Sequence, residues 1–552
     1  MSSTRKQKPA AGMTRSEKRV VFAASLGTVF EWYDFYLVGA LAIQISRHFF
    51  SGVNPTAAFI FTLLSFAAGF AVRPLGALVF GRLGDLVGRK YTFLVTIVIM
   101  GAATFVIGLL PGYASIGIAA PIIFIGMRML QGLAIGGEYG GAVTYVAEHA
   151  PNGRRGAWTS WIQSTASLGL LLSLGLILFL RHLIGEEQFS DWGWRIPFLF
   201  SSVLLFISVW IRLKLAESPA FLRMKDQGRL SKAPLSEAFA QWRHLRIVLI
   251  ALFGIAMGQA VIWYTGQFYS LFFLTQILKV DGATAALLII VATVVTVPLY
   301  LLFGSLSDRI GRKPVFLAGC VLGILAFFPL YKALTHYVNP ALETAQQTSP
   351  IVVIANRSEC SLQFNPVGTK SFVSSCDVAK SSLSRAGLNY DNVDAPAGSI
   401  AQIEVGRQVI RAYDAAAPDA EVRARQFEAA LADALRQAGY PEKADRAKIN
   451  MPMTIFVLII LMSFGTMTYG PLAAMLVEMF PTRIRYSALS LPYHVGIGWF
   501  GGFLPAAAFA IVAANGNIYS GLWYAVIVAS ASALICLFFV RETKHVDIHA
   551  DD

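Results

Sequence analysis

The sequence predicts an all-α membrane protein of twelve transmembrane helices, arranged as two six-helix repeats with an extramembrane insertion between helices 9 and 10. Three observations predict it. Of 552 residues, 56% are hydrophobic and only 14% are charged, whereas a soluble chain carries about a quarter charged residues. Apolar runs long enough to cross a hydrocarbon core about 30 Å thick, roughly 20 residues of helix, recur twelve times. Finally, the decapeptide GRLGDLVGRK at 81–90 returns as GSLSDRIGRK at 304–313, and EHAPNGRR at 148–155 returns as EMFPTRIR at 478–485.

Taken in order, a basic polar tail occupies 1–19. A first bundle, 20–215, holds spans at 20–45, 57–80, 91–111, 118–147, 157–180 and 194–215. The first span contains Glu31 and Asp34 and lacks a small-residue cleavage site, so it reads as a retained span rather than a signal peptide. A hydrophilic loop, 216–246, leads to spans at 247–275, 283–303 and 314–334, which form segment 247–334. Residues 335–450 then shift to a soluble composition, and 418–440 reads as an amphipathic helix stopped by Gly439. Spans at 452–478, 487–512 and 518–540 complete the second bundle as segment 451–540, and 541–552 is a tail.

The net charge is +13, and the location of the basic residues decides what it means. Most Lys and Arg of the short loops fall on the side that carries both termini, against Arg47, Arg181, Arg195 and Lys279 on the other. This asymmetry sets topology with both termini cytoplasmic and argues against nucleic acid as a partner. The insertion is then periplasmic in a bacterial inner membrane, where oxidising conditions would permit a disulfide between Cys360 and Cys376.

A few ionisable residues remain inside spans: Glu31 and Asp34 in span 1, Arg73 in span 2, Arg128 and Glu138 in span 4. Charges at that depth normally face a cavity or a partner. Glu31 and Asp34 are three apart, and Arg128, Gln131 and Glu138 fall on one stripe, so both helices turn a polar face to one pathway. Burial and a neighbouring arginine act oppositely on a carboxyl group. Glu31, Asp34 or Glu138 is therefore expected to take up a proton and loosen its pairing with Arg128 or Arg73, which then holds an anionic substrate. The competing expectation is a static ion-pair network. Arg73 lies close enough to the cytoplasmic end to snorkel as a structural pin. His494, inside span 11, is expected to make an interhelical hydrogen bond, with proton relay as the alternative.

The decapeptide and its echo resemble the paired loop signatures of the major facilitator superfamily. EWYDFYLVGALA in span 1, RPLGALVFGRLGD ending span 2, RMLQGLAIGGEYGGA in span 4 and AESP after span 6 resemble its metabolite:proton symporter family. That family includes carriers for α-ketoglutarate, citrate, shikimate and proline or betaine. The resemblance implies gating roles for Asp85, Arg89, Asp308 and Arg312, with Glu148, Arg155, Glu478 and Arg485 in the second pair of loops. It also implies that spans 1, 4, 7 and 10 line the cavity. Tyr264, Gln267, Thr468 and Tyr469 would then face the substrate opposite Arg128 and Gln131.

The expected function is proton-coupled import of a small organic acid or zwitterion by alternating access, with substrate, protons and lipid as partners. A proton-driven exporter and a solute sensor using the insertion are the rivals. No metal, cofactor or nucleophile motif is present in the sequence, so no enzyme is expected.

Overall fold

The structure, a computed structural model, describes residues 15–51, 55–151, 153–214, 217, 219–228, 231–361 and 373–548. Six long helices come first: α1 Arg15–Ala40, α2 Pro55–Leu86, α3 Arg89–Leu109, α4 Ala119–His149, α5 Arg155–Ile184 and α6 Arg195–Leu213. Then α7 Trp242–Ile277, α8 Gly282–Ile310 and α9 Arg312–Val338 follow. Three helices belong to the insertion: α10 Pro340–Thr348, α11 Ser375–Ala386 and α12 Ala420–Gln437. Four more close the chain: α13 Met451–Met479, α14 Arg485–Val495, α15 Leu504–Asn515 and α16 Leu522–Phe539.

Among the described residues nine helices are long and apolar enough to cross a bilayer: α3 to α9, α13 and α16. Helix α1, helix α2 and the pair α14–α15 stand where the other three spans are expected. Helices dominate because a backbone in hydrocarbon must satisfy its own hydrogen bonds. Their outer faces carry Phe206, Leu325 and Phe538, each at least 70% exposed, as lipid-facing side chains should be. The expected eleventh span is not one uniform helix. A π-helical stretch, Gly496–Gly501, separates α14 from α15, and Pro492 lies just ahead of it.

The repeat is visible in the backbone. Gly88 (φ 129°) and Gly311 (φ 113°) take the same left-handed conformation ahead of α3 and α9, a region that side chains avoid. A carboxylate from just beyond the sixth helix of each half meets each loop: Lys90 N donates to Glu217 Oε2 (3.2 Å), and Arg312 N to Glu542 Oε1 (2.9 Å). These acidic groups sit at helix N-termini, where the dipole favours them.

Glycines set the packing of α2 on α4. A Cβ at Gly132 would lie 2.0 Å from the Gly69 carbonyl oxygen, and one at Gly76 2.0 Å from that of Leu133. Small residues thus let the two backbones approach, as in close membrane helix pairs.

The all-α expectation fails in the insertion, which holds a four-stranded sheet. Strands β1 Ile351–Ala355, β2 Asp391–Asp394, β3 Gln402–Val405 and β4 Gln408–Arg411 are ordered β2-β1-β3-β4. Strands β1 and β2 run parallel, the other pairs antiparallel. Ile351, Val353 and Ala355 point inward at alternate positions, and Phe427, Leu431 and Ala434 form the buried face of α12. Gly439 (φ 83°) follows that helix, as its sequence indicates. Cys360 and Cys376 are bridged, with Cα atoms 5.3 Å apart.

The insertion docks on the second bundle. Tyr390 N donates to Gly516 O (2.7 Å), Ala444 N to Lys279 O (3.0 Å) and Asn339 Nδ2 to Leu278 O (3.1 Å). Its two ends meet, since Asn450 N donates to Tyr337 O at 2.9 Å.

Candidate functional site

At the end of the bundle where the repeated loops meet, the two halves are latched. Asp85 reaches across the interface. Its Oδ2 accepts from Ser487 N (2.9 Å) and Ser487 Oγ (2.7 Å) at the start of α14 in the opposite half. Asp308 does the mirror-image task at the start of α5, accepting from Gly156 N (2.9 Å) and Ala157 N (2.8 Å). Each loop aspartate therefore places its charge on the positive end of a helix dipole across the interface.

A charged ring surrounds these contacts. Arg312 donates to Asp308 Oδ1 (2.6 Å) and, through Nη2, to Glu478 Oε1 (3.1 Å); Arg155 reaches the same Glu478 oxygen at 3.4 Å. Arg485 pairs with Glu148 (3.1 Å). The C-terminal segment joins in: Arg155 donates to Val546 O (2.6 Å) and Arg485 to Ile548 O (3.2 Å). The side chain of Arg89 lies outside the described residues. All the other residues to which the resemblance assigns gating are brought together here.

Deeper in the first half lies a second cluster. Arg212, on the last turn of α6, pairs with both Glu138 and Glu31, the latter at 3.5 Å. Thr96 Oγ1 also donates to Glu138 (2.9 Å), and Arg212 donates to Phe93 O (2.8 Å). The sequence reading pairs these carboxylates with Arg128 or Arg73 and does not count Arg212 among the charges inside spans. The structure corrects both points, because α6 carries Arg212 into the bundle, where it is 2% exposed. A signal existed: Ser201, Ser208 and Arg212 are buried on one face of α6 at spacings of seven and four. Asp34 meets different neighbours, Thr104 and Ser201. Arg128 bonds Gln131, which donates to Thr104 Oγ1 (2.6 Å).

Arg73 does not snorkel. It is 0% exposed on α2, with its guanidinium 4.4 Å from the ring centres of Phe35 and Phe70 and 5.4 Å from Trp32. Among the described residues none of its three nitrogens makes a hydrogen bond. A buried charge normally has a partner of opposite sign, and Arg212, Arg155, Arg312 and Arg485 each have one.

Aromatic residues from both halves enclose it. Tyr36 packs on Phe268 (5.2 Å) and Phe70 on Tyr264 (6.0 Å), whose hydroxyl lies beside Arg73 but outside hydrogen-bond geometry. Tyr139 of α4 stacks on Tyr493 of α14 with ring centres 3.3 Å apart, and Tyr493 shares a hydrogen bond with Tyr469 (2.6 Å). Gln267 donates to Ser167 (3.0 Å) across the halves. Thr468 does not join this wall. Its hydroxyl bonds Gly465 O (3.0 Å), and its methyl packs toward Gly319 of α9. Arg73, Glu31, Glu138, Tyr139, Tyr493 and His494 border one gap with room for about one water.

Comparisons with known proteins place the chain in a family. The family model described as "Sugar (and other) transporter" matches residues 20–244 and 437–550, and "MFS/sugar transport protein" matches 141–355. An inner membrane metabolite transport protein of Escherichia coli is 36% identical over 64% of this chain and 79% of its own length. The E. coli shikimate transporter is 34% identical over 60% of this chain and 76% of its own. The proline/betaine transporter of Salmonella typhimurium is 37% identical over 57% of this chain, which spans 63% of that protein's length. A solved proton:xylose symporter shares the fold, with a TM-score of 0.61 and 15% identity over 97% of this chain and 98% of its own. The chain belongs to the sugar (and other) transporter family of the major facilitator superfamily.

Proposed function

We propose that the protein imports a small carboxylate-bearing metabolite, a zwitterion such as a betaine or proline foremost, by symport with protons. The observation that carries this reading is Arg73: a buried guanidinium with no hydrogen bond among the described residues, bordering a gap between the halves. A fork of N–H donors suits a carboxylate. The rings of Trp32, Tyr36, Tyr264 and Phe268 nearby suit a cationic or apolar body. Relatives named as proline/betaine and shikimate transporters support a carboxylate substrate.

Proton coupling falls to Glu31 and Glu138, with Asp34 as a further acceptor. Two carboxylates share the single guanidinium of Arg212, so one proton balances the charge of the trio. Because both carboxylates border the same gap as Arg73, their protonation state is felt where the substrate binds. The sequence of events is proton uptake from outside, substrate capture by Arg73, closure, rupture of the latch and release inside. In this reading the latch faces the cytoplasm with both termini, twelve helices cross a bacterial inner membrane, and the insertion is periplasmic.

The test is uptake of radiolabelled glycine betaine, proline and shikimate into proteoliposomes under an imposed pH gradient. Outside acid should drive accumulation of at least one, and a protonophore should abolish it. Efflux driven by the opposite gradient would support export instead, and no flux of any of the three would remove the reading.

A further inference from the structure

His494 lies on α14 two residues before the π-helical stretch Gly496–Gly501 and is 0% exposed. Neither ring nitrogen has a hydrogen-bond partner among the described residues. The interhelical bond expected from the sequence is therefore not made. Its surroundings are aromatic: Tyr493 at 5.0 Å and Tyr139 at 6.3 Å, both near perpendicular. A buried N–H with nothing to donate to is unfavourable, so the position needs another explanation. π-Helical turns inside helices cluster at functional sites. The imidazole borders the same gap as Arg73, and the two come from opposite halves, α14 and α2. The carboxylates and hydroxyls of the gap are engaged: Glu31 and Glu138 with Arg212, the Tyr493 hydroxyl with Tyr469, the Tyr139 hydroxyl with Gln163 (2.8 Å) and the Thr28 hydroxyl with Ala24 O (2.9 Å).

Resting on the reading of Arg73 as the carboxylate anchor, we propose that His494 is the second anchor for the same group. An imidazole keeps at least one N–H in either protonation state. Arg73 grips the carboxylate from the first half and His494 donates to it from the second, so a single anionic group ties the halves together. Substrate binding then draws α14 toward α2. A solute without a carboxylate leaves both groups unpaired, which makes His494 a specificity-determining residue.

The experiment compares the full-length wild type with His494→Phe, His494→Gln and Arg73→Gln, using glycine betaine, proline and shikimate as probes in thermal-shift titrations and proteoliposome uptake. For the probe that stabilises the wild type, His494→Phe should raise Kd and KM by about tenfold or more, the loss of one hydrogen bond to a charged group. His494→Gln, which keeps an N–H, should stay within about threefold. The ligand-free melting temperature of His494→Phe should not fall, because no hydrogen bond is lost at rest. Wild-type-like binding by His494→Phe beside loss in Arg73→Gln removes the His494 role alone. A clear drop in its ligand-free melting temperature does the same, because the imidazole is then a structural pin. No response of the wild type to any probe removes the carboxylate reading and this inference with it.

Discussion

Arg212 is held by two carboxylates, and Arg73, among the described residues, by none. Removing the first guanidinium strands two buried acids. Arg212→Gln is expected to lose about 3–5 kcal/mol of stability, the usual cost of breaking a buried pair from one side. The double variant Arg212→Gln/Glu138→Gln should recover much of that loss, because only Glu31 then lacks a counter-charge. A double-mutant cycle on detergent-solubilised protein checks this, and additive losses would refute the shared-charge description. Glu31→Gln separates coupling from architecture. It keeps size and hydrogen bonding but cannot release a proton, so concentrative uptake should fall to background. Exchange of labelled for unlabelled substrate without a pH gradient should persist. Loss of both activities in a well-folded variant would assign Glu31 a structural part.

The helices were legible because apolar runs of bilayer length leave few alternatives, and observed ends such as Met451–Met479 fall within a residue or two of the reading. The loops that meet at the latch were singled out as well, because the repeated ten-residue pattern resembles paired loop signatures of a known superfamily. What escaped was detail that depends on tertiary approach. Arg212 lies where a helix end and a loop start look alike in composition, and only the way α6 packs buries it. The strands of the insertion are four or five residues each and carry polar residues such as Asp391 and Glu404, so no strong alternation announced them. The glycines of GGEYGGA gave no hint of their partner, yet Tyr486 of α14 bonds Gly137 O and packs in the slot at Gly84, Gly140 and Gly141. Because α14 and α5 are pinned by their first turns, the latch should weaken when one aspartate is neutralised. Asp85→Asn loses charge-assisted bonds to Ser487, and a change of about 1.5 kcal/mol shifts the open-to-closed ratio roughly tenfold. A cysteine placed at Ser490, buried at the interface against Gly140, should be labelled by a thiol reagent correspondingly faster in that background. An unchanged rate would mean that the charged ring alone holds this end shut.

On the scale of the whole molecule, transport requires two bodies that rock against each other about a central site, and the insertion bears on whether they can. Among the described residues its hydrogen bonds to the bundle go to Leu278, Lys279, Tyr337, Asn515, Gly516 and Ile518, all in the second half. It can therefore ride on that half as one body without bridging the moving interface. Neither family model reaches residues 356–436, which is what an elaboration added to a complete carrier would look like. The geometry of attachment allows excision. Chain entry and exit are joined by the bond from Asn450 N to Tyr337 O at 2.9 Å, so a short Gly-Ser linker can connect α9 to α13 without moving either helix. Host folds tolerate a domain inserted where its entry and exit lie close together. The excised protein should insert, stay monodisperse and transport within about threefold of the full chain, since each surface hydrogen bond it forgoes is worth only about 0.5–1.5 kcal/mol. If it is well folded but silent in proteoliposomes, the insertion takes part in the cycle, and the search for its role moves to the face it presents above the second half.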